Sequence, residues 1–178
     1  MIRRPPRSTQ SRSSAASDVY KRQEYGEELG KIAEEGQEIK EFLVNAIDED
    51  TNAFDKVIKA MRMPNDSDSE KEIRAEKMKE GYKSAAEVPL EVVEYCYRAL
   101  NTCDRISKIM DDSMASDVGS GAQMSIAGAR AAAYNVKINL KTITDNEYTS
   151  KTNKKLEKLL SECERVLQVV IKRVEKKF

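Results

Sequence analysis

No histidine occurs in this chain of 178 residues. Proton transfer near neutral pH, the work histidine does most readily, must fall to Asp, Glu, Lys, Tyr, Cys or water. Cysteine is scarce: Cys96, Cys103 and Cys163, with no pair at zinc-site spacing. Cys96 and Cys103 are seven apart, on one face of a helix, and are expected to be core-facing free thiols in a reducing compartment. No apolar run approaches the ~18 residues of a membrane helix, so no membrane partner is expected. An excess of charge is missing too, with 31 Lys/Arg against 31 Asp/Glu. The balance hides a split. Residues 1–23 hold six basic side chains and one acid, Asp18, leaving residues 24–178 with five more acids than bases. A body without a basic excess or an aromatic-studded basic stripe gives little support to nucleic-acid binding, and no nucleic-acid partner is expected. Strand-like alternation and internal repeats are also absent, which leaves helices.

Residues 1–23 are rich in Arg and Ser, contain Pro5-Pro6 and show no apolar period. They resemble a translated sequencing-adapter peptide, so a non-native, disordered segment is expected there, followed by one domain over 24–178. Glu24–Met63 reads as one long helix or two in line, ended by Pro64. Ser69-Glu70-Lys71-Glu72 has the form of a capping box, predicting a helix towards Glu87. Val88-Pro89 is expected to break or kink it. A second stripe then runs through Val92/Val93, Cys96, Leu100, Cys103, Ile106 and Met110. Ser116 or Asp117 is the expected cap of the next helix.

That helix, Val118–Leu140, is crowded with small residues, among them Gly119, Gly121 and Gly128. Each interior glycine costs about 1 kcal/mol relative to alanine, a cost accepted where a backbone or a ligand comes close. Asn135 and Asn139 share one face near its end, and two hydrogen-bonded interface amides are a sufficient reading of them. Thr144 and Asp145 are cap-like, and Thr152–Lys177 is the last helix. The fold class is all-α: an antiparallel bundle of about four to five long helices.

One stretch departs from its own pattern. Leu43–Met63 places Leu43, Ala46/Ile47, Phe54, Val57/Ile58 and Met61 on one stripe, and Asp50 stands in that stripe where a hydrophobe belongs. An unpaired buried carboxylate is costly. Periodicity leaves two readings open: a hydrogen-bonded structural Asp, or a functional one. Asp48 and Glu49 fall off the stripe and read as solvated.

Three ordered blocks carry a resemblance: IDEDTNAFDKVIKAMRMP, SEKEIRAEKMKEGYKSAAEVPLEV and SDVGSGAQMSIAGARAAAYNVKINLKTITD. Together they resemble the formiminotetrahydrofolate cyclodeaminase/methenyltetrahydrofolate cyclohydrolase family, over essentially Tyr25 to the C-terminus. The resemblance implies an all-helical homodimer of the cytoplasm that needs no metal and no prosthetic group. Its substrate would be a tetrahydrofolate derivative, and a formiminotransferase its partner or fused neighbour. The implied reaction, of the ammonia-lyase type, turns 5-formiminotetrahydrofolate into 5,10-methenyltetrahydrofolate and ammonia in histidine degradation and one-carbon metabolism. The family's catalytic carboxylate is the second Asp of a D-x-D-x-x-A-F motif, which here is Asp50 of Asp48–Phe54. A partly desolvated Asp with a raised pKa would suit that role. Asp117, Asn135 and Asn139 are the candidates for binding substrate or orienting Asp50.

Two departures stand beside the resemblance. Family members open with a Gly-rich PTPGGGS-type segment and a small-residue helix, which are not found upstream of Tyr25, so an inactive, truncated chain is one expectation. Relatives often carry a G-N-P-N-type turn where this chain has Asp111-Asp112-Ser113-Met114. Cyclohydrolase activity is the alternative within the family. An inactive helical dimerisation module is the alternative from another class.

Overall fold

The computed structural model describes residues 25–178. The expectations for residues 1–23 lie outside the described residues. Four long helices follow one another: α1 Gly26–Met61, α2 Asp68–Ile109, α3 Ala115–Leu140 and α4 Asn146–Val174. Short 3₁₀ turns occupy Asp112–Met114 and Glu175–Lys177. There is no strand among the described residues, and the all-α antiparallel bundle stands.

The antiparallel order shows in the cross-contacts. Phe42 of α1 stacks on Tyr95 of α2, ring centroids 3.5 Å apart. Gly128 and Gly121 of α3 face Cys96 and Cys103 of α2 in turn. Arg130 of α3 donates to Glu164 of α4 at 2.6 Å. The main core lies between α2, α3 and α4, around Val93, Leu100, Ala122, Ile126, Val136, Leu156, Cys163 and Val170. The glycines of α3 do have a packing use. A Cβ on Gly128 would lie 3.1 Å from Cys96 Sγ, and one on Gly119 would lie 3.1 Å from a Val174 methyl.

α1 stands apart from that core. It packs on α2 and makes little contact with α3 or α4. Its buried residues are Ile32, Ile39, Ala46, Ala53, Val57 and Ala60. That is a narrow seven-residue seam, as expected of a helix with one neighbour. Alanines at 46, 53 and 60 let the two backbones approach closely, and Gly81 of α2 completes the fit. A Cβ there would stand 3.1–3.3 Å from Val57. Ion pairs hold the other end, where Arg105 donates to Glu28 and Glu35 at 2.8 and 2.7 Å and Arg98 to Glu38 at 2.8 Å.

Several sequence expectations need correction. The stripe through Leu43, Ala46/Ile47, Phe54, Val57/Ile58 and Met61 is buried only in part: Ala46 and Val57 are buried, whereas Ile47, Phe54 and Met61 are exposed. The exposed members flank the alanine seam. The cap of α2 lies two residues before the predicted one, with Ser67 as N-cap and Glu70 as its partner; Glu70 Oε2 accepts from Ser67 N–H at 2.8 Å. Val88-Pro89 does not break α2, which runs 42 residues through Pro89. Neither Ser116 nor Asp117 caps α3. The helix starts at Ala115 behind the 3₁₀ turn, whose cap is Asp111. Asp145 does cap α4, accepting from Tyr148 N–H at 3.1 Å, although that helix begins at Asn146, earlier than predicted.

Candidate functional site

Asp50 lies on α1 one turn after Ala46 and one before Ala53, with Ile47 and Phe54 beside it on the outward flank. At 100° per residue it projects about 40° off the buried seam, and Glu49 projects about 60° to the other side. The Glu49 side faces Glu91, whose carboxyl is raised above its ordinary range first by burial and then by Glu49, Glu94 and Glu87. Asp50 therefore turns away from that acidic flank. The partial burial expected of it is not found, because Asp50 is exposed. The cause is the fold: α1 has one neighbour, and only its narrow seam is covered.

On this side of α1 the opposite wall is α3. Both helices pack on α2 and scarcely touch each other, so a furrow runs between them. Val88, packed against the small cluster of Ala53, Val57 and Ala85, and Val92, packed against the main core, lie on the α2 floor between the two clusters. Asn139 fixes the level of α3 along this furrow: its Nδ2 donates to the backbone oxygen of Ala85 at 2.7 Å. Ala85 in turn packs with Ala53 and Val57 of α1. Asp50 and Asn135 each lie about one helical turn from that level, so helical register sets them at matching heights on the two helices.

Asn139 also donates from Nδ2 to the Asn135 backbone oxygen at 3.0 Å. Both amide hydrogens are thus engaged within the protein, and the side-chain oxygen remains as acceptor. Asn135 is exposed. Asp117 is exposed too, but 18 residues before Asn135 on the same straight helix, about 27 Å away. Register thus places Asp50 and Asn135 at matching heights, about one turn from Asn139, and leaves Asp117 elsewhere. What the sequence pattern missed is that its apolar stripe stays partly uncovered and that α3 carries exposed hydrophobes as well. Ile47 and Phe54 on α1, and Met124, Tyr134 and Ile138 on α3, are 51–75% exposed. Large hydrophobes beside a seven-spaced alanine seam were the available signal for it.

A recess of about 480 Å³ lies on the other flank of the α1–α2 seam, lined by Lys56, Lys59, Lys77, Glu80 and Ser84 among others. It does not include Asp50. No group of three His, Cys, Asp or Glu is gathered to hold a metal among the described residues. None of the described helices is long and apolar enough to cross a membrane.

The family model described as formiminotransferase-cyclodeaminase matches residues 11–158. The chain belongs to this family. One member, the methenyltetrahydrofolate cyclohydrolase of Methylorubrum extorquens, is 31% identical over 151 residues, which cover 83% of this chain and 73% of that protein. Another, the formimidoyltransferase-cyclodeaminase of Gallus gallus, is 31% identical over 135 residues, 76% of this chain but 25% of that longer protein. The chain thus spans about a quarter of the vertebrate members it matches. A solved member, formiminotetrahydrofolate cyclodeaminase from Thermotoga maritima, shares the fold with a TM-score of 0.76 and 26% identity, covering 86% of this chain and 72% of that one. The three-block resemblance holds for this formiminotransferase-cyclodeaminase family member, and its membership supports a folate cyclodeaminase or cyclohydrolase.

Proposed function

We propose that the chain is a formimidoyltetrahydrofolate cyclodeaminase, converting 5-formiminotetrahydrofolate to 5,10-methenyltetrahydrofolate and ammonia. The observation that carries this reading is Asp50: a carboxylate in an apolar surround, Ile47 and Phe54, at a height matching Asn135, in a chain of this family. A flat pterin laid over Ile47 and Phe54 would bury apolar surface and take Asp50 out of water.

The chemistry asks for one proton carrier. The formimino group enters protonated, as –CH=NH2+; N10 attacks its carbon, closing the five-membered ring, and loses its proton to Asp50. Asp50 returns that proton to the former iminium nitrogen, now –NH2, and the C–N bond to it breaks as ammonia departs and leaves the methenyl cation. Holding N10 against the carbon supplies the proximity term. In this reading Asn135 and Asp117 bind substrate and Asn139 orients the wall that carries Asn135, with Asp117 needing a second protomer to reach the site. A homodimer, a cytoplasmic setting in histidine degradation, and a formiminotransferase as partner or fused neighbour belong to the same proposal. The reading requires no prosthetic group or metal.

Hydrolysis of methenyltetrahydrofolate is the second reading, favoured by the 31% identity to the Methylorubrum extorquens cyclohydrolase across 73% of that protein. There Asp50 would take the proton of the water that adds to the methenyl carbon. Both substrates should be assayed by following methenyltetrahydrofolate absorbance. Asp50→Asn is expected to lower turnover roughly 10²–10⁴-fold at unchanged melting temperature. Near-normal turnover by Asp50→Asn would sink the assignment. Whichever substrate the unaltered chain consumes decides between the two reactions.

A further inference from the structure

Pro89 sits inside α2 and has no N–H to donate. In an α-helix that N–H would have bonded the carbonyl four residues back, which is Ala85. Ala85 is buried, so water does not replace the lost donor. An orphaned buried carbonyl is costly. The donor comes instead from Asn139, more than fifty residues on, through the 2.7 Å bond to the Ala85 oxygen. The amide is held from a second side by its bond to the Asn135 oxygen.

We infer that Pro89 and Asn139 form a lock, and that Asn139 is a positioning residue for the furrow. The proline frees a carbonyl, the asparagine takes it, and α3 is thereby pinned to α2 at the level where α2 meets Ala53 and Val57 of α1. The separation of Asp50 from Asn135 across the furrow is set there. Shape alone does not require this residue pair. Above the lock the α2–α3 contact is glycine against thiol, at Gly128 with Cys96 and Gly121 with Cys103, and carries no directional bond. The lock supplies the polar register that this smooth seam lacks.

The test uses the whole chain in a cycle of Asn139→Ala, Pro89→Ala and the double variant. With Pro89 present, Asn139→Ala is expected to lower the melting temperature by roughly 3–10 °C, because the Ala85 carbonyl is orphaned. In the Pro89→Ala background the helix bonds that carbonyl itself, so adding Asn139→Ala is expected to have a much smaller effect. An equal fall in both backgrounds overturns the lock. Positioning is read separately, at matched stability. In the double variant, amide exchange over residues 133–140 is expected to be faster than in Pro89→Ala alone. Unchanged exchange shows that Asn139 only satisfies a carbonyl and overturns the positioning role. The activity arm rests on the folate reading: KM for the substrate turned over should rise about tenfold in the double variant while kcat changes little. An unchanged KM counts against the inference. A chain without activity on either folate counts against the proposed function, and the melting and exchange cycles still decide the lock.

Discussion

Asp104 shows how a single side chain ties the bundle together. Burial pushes its carboxyl up, but hydrogen bonds and charge from Lys108 and Arg173 outweigh burial and hold it below the ordinary range. Arg173 also donates to Ser107 at 2.9 Å, so the end of α4 is fastened to α2 at two points. A group with a depressed folded pKa contributes stability above its unfolded value, about 3.9, and loses it as pH falls through the folded value. Asp104→Asn should therefore cost about 1–2 kcal/mol at pH 7, read as a lower denaturation midpoint. The gap from the unaltered chain should narrow as pH falls below about 4. A gap that stays constant as the pH is lowered would mean that Asp104 acts by shape and not by charge. Asp50, by contrast, has no hydrogen bond or ion pair among the described residues, and it is exposed beside Ile47 and Phe54.

At the scale of the element, glycine separates close approach from incidental use. Gly81 and Gly36 are both helical, and both carry the same intrinsic penalty of about 1 kcal/mol. A Cβ at Gly81 would meet the Val57 backbone nitrogen at 3.2 Å and its Cα at 3.3 Å, whereas nothing lies within 4 Å of one at Gly36. Backbone atoms in a packed seam do not yield as a flexible side chain does. Gly81→Ala should thus destabilise by about 1–3 kcal/mol and loosen α1 from α2. Gly36→Ala should stabilise by about 0.5–1 kcal/mol. Chemical denaturation of the two variants checks both signs at once. If Gly81→Ala is neutral, the α1–α2 seam is looser than its alanines indicate. The apolar flank beside this seam was legible in the sequence as hydrophobic periodicity. Its orientation was not, since alanine and phenylalanine at alternating turns satisfy the same spacing rule.

Across the whole molecule, the three thiols report on the integrity of the main core. Burial pushes Cys96 up to about 11 and Cys163, with help from the neighbouring Cys96 and Glu164, up to about 12. Burial raises Cys103 as well. All three are free. Only a thiolate attacks an alkylating reagent, so the folded chain should resist iodoacetamide at pH 8 while all three residues label on unfolding. Intact-mass measurement during a denaturant series should show modification rising with the unfolding transition. Rapid labelling of Cys163 without denaturant would contradict a closed core between α2, α3 and α4. The reading of Cys96 and Cys103 as core thiols rested on their spacing, because seven residues is two helical turns and puts both on one face.

The sequence by itself determined that the chain is helical, where most helices lie, that α3 is a helix of close contacts, and that Asp50 interrupts an apolar pattern. These features depend on capping, periodicity and residue size, which act over a few neighbouring positions. The tertiary structure decided the rest. Asp50 faces outward because α1 packs against a single neighbour, and one neighbour covers a seam narrower than the apolar stripe. Pro89 sits within a continuous helix because Asn139, remote in sequence, supplies the hydrogen bond that proline cannot. Which partner satisfies a buried carbonyl, and which flank of a stripe is covered, depend on helices brought together from distant parts of the chain. No local pattern carries that information.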